Sequence, residues 1–242
     1  MKDYPVLVEV DSILLALWKL FEYSPKKFAM FQDVQEAYGL KPLTLLRAAT
    51  TRWLSHLTAC TRLSDRFVQV LDVLDDIYNE RKDHEIYGIR AGLLQKPVIA
   101  MILLLCDVLR PMHILSQYLQ GTGVNFSRLP FQVKQTTDQL HSLIDSLQNN
   151  DVTTKFSKAE TFFNEILDRT NLAMRRRGFN DTTPQQFLEG TGIPFIYKLI
   201  GEIEDAFVCS PVLKAFGSLD HRNFQDSIQE AVTTDYGMVI IF

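Results

Sequence analysis

The run Val98-Ile-Ala-Met-Ile-Leu-Leu-Leu105 is the most apolar part of this chain, and the rest of the sequence has to be arranged to cover it. Cys106 and Asp107 follow directly, so the run is too short to span a bilayer. We interpret it as the centre of a buried core helix over residues 97–120. Pro111 should end or kink this helix near Arg110, because proline removes a helical hydrogen bond.

Upstream of this run the apolar residues recur at helical spacing. Residues 6–21 form one apolar face, with positions three and four apart. Ser24-Pro25 then combines a helix-capping residue with proline at the first helical position. The helix that it starts should stop at Gly39. A connector is predicted over residues 40–50, followed by one long helix with apolar positions between Leu54 and Tyr78 and by another helix over residues 83–95.

Downstream, helical spacing predicts one helix over residues 133–147 and another over residues 157–174. The second begins Ser157-Lys158-Ala159-Glu160, which matches a capping box. Beyond Gly178, frequent glycine and proline predict shorter helices and loops. The best strand signal is Gly237-Met-Val-Ile-Ile-Phe242. The expected fold is therefore all-α, a multi-helix bundle with at most a short terminal strand.

Composition excludes several classes of protein. The 242 residues are 46% apolar with a net charge of only −4, which is typical of a globular domain and argues against disorder. A protein that covers nucleic acid with a generally basic surface is also excluded, so any DNA contact must be local. Cys60, Cys106 and Cys209 lie far apart, which argues against a zinc or redox motif and favours a reducing compartment. The first residues lack the pattern of a signal peptide.

The sequence contains no recognisable catalytic motif. The chain has no phosphate-binding glycine loop, no GxSxG and no HExxH, and its five histidines are dispersed. Asp72, Asp75 and Asp76 are interpreted as a solvated helix face rather than as metal ligands. We therefore expect no enzyme activity, no catalytic or metal-binding residue, no cofactor, no small-molecule substrate and no membrane.

Two basic motifs allow a functional interpretation. In Thr51-Arg52-Trp53-Leu54-Ser55, the threonine can cap a helix and Trp53 can anchor it in the core. An arginine beside a tryptophan can also pair with phosphate and stack on a base, which suits DNA binding. Spacing alone favours the structural interpretation.

The second basic motif is Arg175-Arg176-Arg177, at the end of a predicted helix. Positive charge at this end complements the helix dipole, which is a sufficient structural reason for it. The three arginines could equally form a small phosphate-binding patch or part of a targeting signal. The residue pattern again favours the structural explanation and leaves the other two open.

Several segments, taken in order, resemble the transposase-derived proteins of the hAT superfamily. They are Phe21-Glu-Tyr-Ser-Pro-Lys-Lys-Phe28, Thr51-Arg-Trp-Leu-Ser55, Cys106-Asp-Val-Leu-Arg-Pro-Met-His-Ile-Leu-Ser116, Leu119-Gln120 and Asn125-Phe126. The nearest likeness is to domesticated or degenerate, zinc-finger-protein-like copies. The resemblance implies the helical insertion of a ribonuclease-H-like domain, a nuclear or cytoplasmic location, and a role for Arg52 and Trp53 at a DNA end.

The same resemblance implies that the family's catalytic carboxylates lie on either side of this segment. We expect a helical domain over residues 1–210 and a poorly matched tail over 211–242, whose last residues look foreign to the family. The leading hypothesis is a catalytically incomplete domain that retains DNA association. The alternative is a helical module for protein partners or self-association, without DNA binding. A third possibility is an active transposase that receives its carboxylates from another chain.

Overall fold

The computed structural model describes residues 4–48, 53–121, 128–170 and 182–207, and these ranges are helical with irregular connections. The predicted all-α class is confirmed, since no strand occurs within them. The strand predicted at Gly237–Phe242 and the tail over 211–242 lie outside the described residues. The helices pack around one hydrophobic core that extends from Leu7 to Ile203.

Ten α-helices follow one another along the described ranges. Their bounds are α1 (Pro5–Glu22), α2 (Pro25–Ala37), α3 (Trp53–Asp65), α4 (Phe67–Arg81), α5 (His84–Leu93), α6 (Lys96–Gln120), α7 (Leu129–Gln148), α8 (Ala159–Arg169), α9 (Pro184–Phe187) and α10 (Ile193–Phe207). A 3₁₀ turn, Phe156–Lys158, precedes α8, and a π-helical turn, Leu188–Gly192, joins α9 to α10.

Helix α6 is the centre of the fold, as the apolar run predicts. It packs most extensively on α3 and also contacts α1, α5, α7, α8 and α9. By length and composition alone α6 could cross a membrane, but 72% of its most apolar window is buried inside the protein, as in a core helix. The helix does not end at Arg110, because it continues through Pro111 to Gln120. Pro111 is itself buried within the helix.

The start and end of α2 agree with the prediction. The Ser24 side chain accepts a hydrogen bond from the Lys27 amide, and Pro25 is the first helical residue. Gly39 follows the helix with φ +67°, a left-handed conformation that glycine adopts without strain. The predicted connector is also present over residues 40–48, which have no regular secondary structure.

The single long helix predicted between Leu54 and Tyr78 is wrong. The helix breaks at Arg66, where φ is −129° and ψ is 23°, so that α3 and α4 are separate. The Arg66 side chain explains the break, because it donates hydrogen bonds to Gln35 Oε1 and to the Lys41 carbonyl. These partners come from α2 and the connector, which apolar spacing cannot reveal.

The capping box predicted at Ser157 and Glu160 is also wrong. Ser157 Oγ donates to the Thr154 carbonyl at 2.6 Å, within the turn that precedes α8. A capping box is present instead at the start of α9, between Thr183 and Gln186. A capping box does occur in this chain, but at a different helix from the predicted one.

The shorter helices and loops predicted beyond Gly178 are replaced, over the described part, by continuous helix from α9 through α10. Gly192 does not break it. A Cβ at this position would lie 3.2 Å from Leu104 Cδ2 and 3.1 Å from Leu188 Cδ1. Glycine here allows the π-helical turn to approach α6 closely, a packing role that sequence punctuation does not show.

Candidate nucleic-acid interface

The residues predicted to contact DNA are largely beyond what the structure describes. Arg52 and Arg175, Arg176 and Arg177 lie outside the described residues. Trp53 is the first residue of α3, and its side chain is likewise outside them. The connector over residues 40–48 precedes this motif in the sequence, with residues 49–51 between them.

A buried glutamine fixes the connector. The Gln35 side chain is fully buried, and its Nε2 donates to the Phe31 and Leu43 carbonyls at 3.1 and 3.2 Å. Its Oε1 accepts from the Leu43 amide and from Arg66 Nε, both at 2.9 Å. One side chain thus joins α2, the connector and the α3–α4 break. The irregular backbone at this surface is therefore held in one conformation.

Two arginines near the end of α3 hold the connector alongside that helix. Arg62 Nη1 donates to the Thr44 carbonyl at 2.6 Å, and Arg66 Nη2 donates to the Lys41 carbonyl at 3.0 Å. Thr44 follows Lys41 in the connector, whereas its partner Arg62 precedes Arg66. The connector therefore runs antiparallel to α3. We call Lys41, Arg47, Arg62 and Arg66 the connector strip.

The other end of the connector meets an aromatic pair at the end of α1. The Arg47 guanidinium lies 5.2 Å from the centre of the Trp18 ring, a cation–π contact. The Tyr23 ring meets Trp18 edge-on, with centroids 5.6 Å apart, and its side chain is 71% exposed. The structure thus forms an arginine–tryptophan pair from residues 29 positions apart, distinct from Arg52-Trp53.

The connector strip consists of four basic side chains. Across the described ranges, none of its four members forms an ion pair. Arg47 lies at the Trp18 ring, and Arg62 and Arg66 donate to carbonyl or amide oxygens. Residues 19–66 contain eight Lys and Arg against four Asp and Glu, in a chain of net charge −4. This local excess of basic residues indicates the surface from the sequence alone, but it is masked by the net negative charge of the whole chain.

Replacing Gln35 with alanine should destabilise the protein by about 1–3 kcal/mol, because buried groups that the amide now satisfies lose their partners. Chemical denaturation followed by circular dichroism measures this. Glu36→Ala is the matched control, since Glu36 is the next residue of α2 and is exposed. Equal stability of the two variants would show that the glutamine does not hold the connector.

The prediction that Asp72 and Asp75 face water is wrong, whereas Asp76 is exposed as expected. Arg169 binds Asp72 at 2.7 Å and Asp75 at 3.3 Å, and it also pairs with Glu165. Arg90 pairs with Asp75 as well. The side chains of these acids are 26–30% exposed, so α4 and α8 are joined through a partly buried ion network.

This network is not arranged as a metal site, because its carboxylates surround a guanidinium. Within the described ranges no group of three or more His, Cys, Asp or Glu residues is placed to hold a metal ion. Tyr38 joins the network through a hydrogen bond from its hydroxyl to Asp72 at 2.7 Å, and this bond raises the pKa of Tyr38. The cluster therefore ties α2, α4, α5 and α8 together.

Several other buried polar groups have structural partners or are unreactive. Among the described residues, the buried Nδ1 of His113 has no hydrogen-bond partner. Burial raises the pKa of the Cys60 thiol strongly and that of Cys106 to about 12, so both stay protonated at neutral pH. His56 Nε2 lies 3.0 Å from Asp11 Oδ1, which links α3 to α1. Burial also raises the pKa of Asp107, which accepts hydrogen bonds from the Lys155 and Phe156 amides. Cys209 lies outside the described residues.

No family model, curated protein or solved structure matches this chain. The resemblance to hAT transposases therefore stays a prediction that rests on the quoted motifs. The surface geometry has to support any functional proposal by itself, and the connector strip is the feature that does so most directly.

Proposed function

We propose that this helical domain associates with nucleic acid through the connector strip and the adjoining Arg52-Trp53 motif, as the insertion domain of a hAT-type transposase would. The observation that supports it is the charge of the strip. Lys41 and Arg47 lie on the connector that Gln35 holds in place, and Arg62 and Arg66 donate hydrogen bonds to it. None of the four pairs with a carboxylate among the described residues. By contrast, Arg169 forms ion pairs with three carboxylates.

The length of the strip suits contact with several phosphates. Lys41 and Arg47 are six residues apart, a span of at most ~20 Å in extended chain. Both are exposed, and the partly exposed Arg62 and Arg66 lie alongside them. Arginine binds phosphate through a planar fork of donors, and lysine binds it as a point charge. The net negative charge of the chain would keep binding local to this surface.

Neutralising the strip tests the proposal. The double variant Lys41→Gln/Arg47→Gln should bind a labelled DNA oligonucleotide about tenfold more weakly in low salt, because two phosphate contacts are lost. Fluorescence anisotropy at a series of salt concentrations should also show the slope of log K against log salt falling by about 1.4 to 1.8. Arg62 and Arg66 are left unchanged because they hold the connector.

The matched control is Lys134→Gln/Lys158→Gln, which removes two exposed lysines from α7 and the start of α8. It has the same change of net charge and should bind almost as the unmodified chain does. Equal weakening of binding in both double variants would indicate a diffuse charge effect. It would overturn the proposal that the connector strip is the binding surface. Absence of binding by the unmodified chain at low salt would overturn nucleic-acid association altogether.

The alternative function, a helical module for protein partners, has one observation in its favour. Phe131 on α7 is 64% exposed and lines a surface groove with Lys134, Gln135 and Asp138. Aromatic residues, phenylalanine among them, are enriched in protein interfaces. Self-association through it would give a molecular mass that rises with concentration in light scattering and falls back in Phe131→Ser.

A further inference from the structure

The end of α1 presents aromatic rings beside the connector strip. Trp18 is partly exposed, with Arg47 at its ring, and Tyr23 lies edge-on to it at an interplanar angle of 68°. The Tyr23 amide donates to the Lys19 carbonyl at 3.1 Å, so the backbone that carries this ring is fixed by the helix end. We call Trp18 and Tyr23 the aromatic platform.

Binding of phosphates alone would not require such a platform. Contact with the backbone of a duplex needs cations and hydrogen-bond donors, and the bases stay stacked inside. Unpaired bases offer their faces to aromatic side chains, and such stacking tolerates any base because every base has a π face. A largely exposed tyrosine beside an arginine–tryptophan pair has the chemistry of a site for unpaired bases.

The cations are also arranged in one row. Arg66 meets the connector at Lys41, Arg62 meets it at Thr44, and Arg47 meets the platform at the other end. Cations that follow one another along a single chain segment can follow one sugar-phosphate backbone. Its span of at most ~20 Å suits a short stretch of strand, close to the lower limit of about four nucleotides seen in single-strand-binding folds.

We propose that the connector strip takes single-stranded nucleic acid, whose backbone follows the strip while an unpaired base stacks on Tyr23 at the aromatic platform. The inference rests on the proposed function and specifies its substrate class. Duplex binding to the same cations would be weaker, since it would lack the stacked base.

The test compares a labelled oligo-dT of about 20 nucleotides with a hairpin duplex of similar length, on the full chain, by anisotropy. The single strand should bind more tightly, and Tyr23→Ala should weaken it about fivefold or more. Binding of the hairpin should stay within twofold. Tyr23→Phe should retain the affinity for oligo-dT, because it keeps the stacking ring.

Tyr197→Ala is the matched control, since Tyr197 is 53% exposed on α10. It lies two residues from Phe195, which contacts Tyr4 at the opposite end of α1. Tyr4 and Trp18 are 14 residues apart, which is ~21 Å along a helix. This variant should bind oligo-dT as the unmodified chain does.

The outcomes separate the two proposals. If neither oligonucleotide binds, nucleic-acid association fails and this inference fails with it. If both bind equally and Tyr23→Ala changes neither affinity, single-strand recognition is overturned while the proposed function stands. If Tyr23→Phe weakens oligo-dT binding as much as Tyr23→Ala, the hydroxyl is responsible and base stacking is overturned.

Discussion

Replacing Leu104 with alanine is expected to lower the free energy of unfolding by about 3–5 kcal/mol. Leu104 is fully buried in α6, and its Cδ2 lies against Gly192 in the π-helical turn. The loss has two parts, the removal of apolar contact and the cavity that remains. Helices pack around α6 from several sides, so the surrounding side chains cannot easily collapse into the space.

Urea denaturation followed by helical circular dichroism measures this loss. Ile114→Ala is the matched control, because it removes a side chain of similar size from the same helix at a site that is 47% exposed. It should cost below about 1 kcal/mol, since surface substitutions usually have small effects. Similar losses in both variants would contradict a central position for α6.

Removing the Arg169 side chain should produce the second large loss. In Arg169→Met, the Asp72, Asp75 and Glu165 carboxylates would lose their shared cation and repel one another at a partly buried site. Breaking a fully buried ion pair costs about 3–5 kcal/mol, so partial solvent exposure reduces the expected cost here to about 2–3 kcal/mol. Thermal and chemical denaturation both measure it.

A graded series checks this explanation. Arg169→Lys keeps the charge but loses the fork that reaches three acids at once, so its stability should be intermediate. Lys158→Met removes an exposed cation from the residue just before α8 and should have little effect. If Arg169→Met and Lys158→Met are equally stable, the ion network contributes nothing measurable to the fold.

Features that depend on neighbouring residues in sequence could be predicted here. Helical spacing and capping chemistry are local, so the start of α2 at Ser24-Pro25 and the core position of the run beginning at Val98 follow from the sequence. The break at Arg66 could not be predicted, because its cause is a contact with Gln35, 31 residues away. Asp72 was misinterpreted for the same reason, since its cation Arg169 lies 97 residues further on.

The same distinction between local and long-range features applies to the candidate surface. Arg52 and Trp53 stand out because they are adjacent in sequence, whereas Arg47 and Trp18 come together only through folding. The excess of lysine and arginine over residues 19–66 could have directed attention to this region. Its organisation could not have been found, because backbone carbonyls of an irregular connector accept the hydrogen bonds of Arg62 and Arg66.

The central position of α6 has a consequence for synthesis on the ribosome. Part of its cover, α7, α8 and α9, is translated after it, and α10, which packs on α7, ends at Phe207. At ~5–20 residues per second, the stretch from Gln120 to Phe207 takes roughly 4–17 s to translate. The helices made first, α1 and α3, can shield part of the nascent α6 during this interval. If the ribosome stalled before α7, the side of α6 that the later helices cover would stay exposed. Chaperones could then bind it, or the chain could aggregate through it.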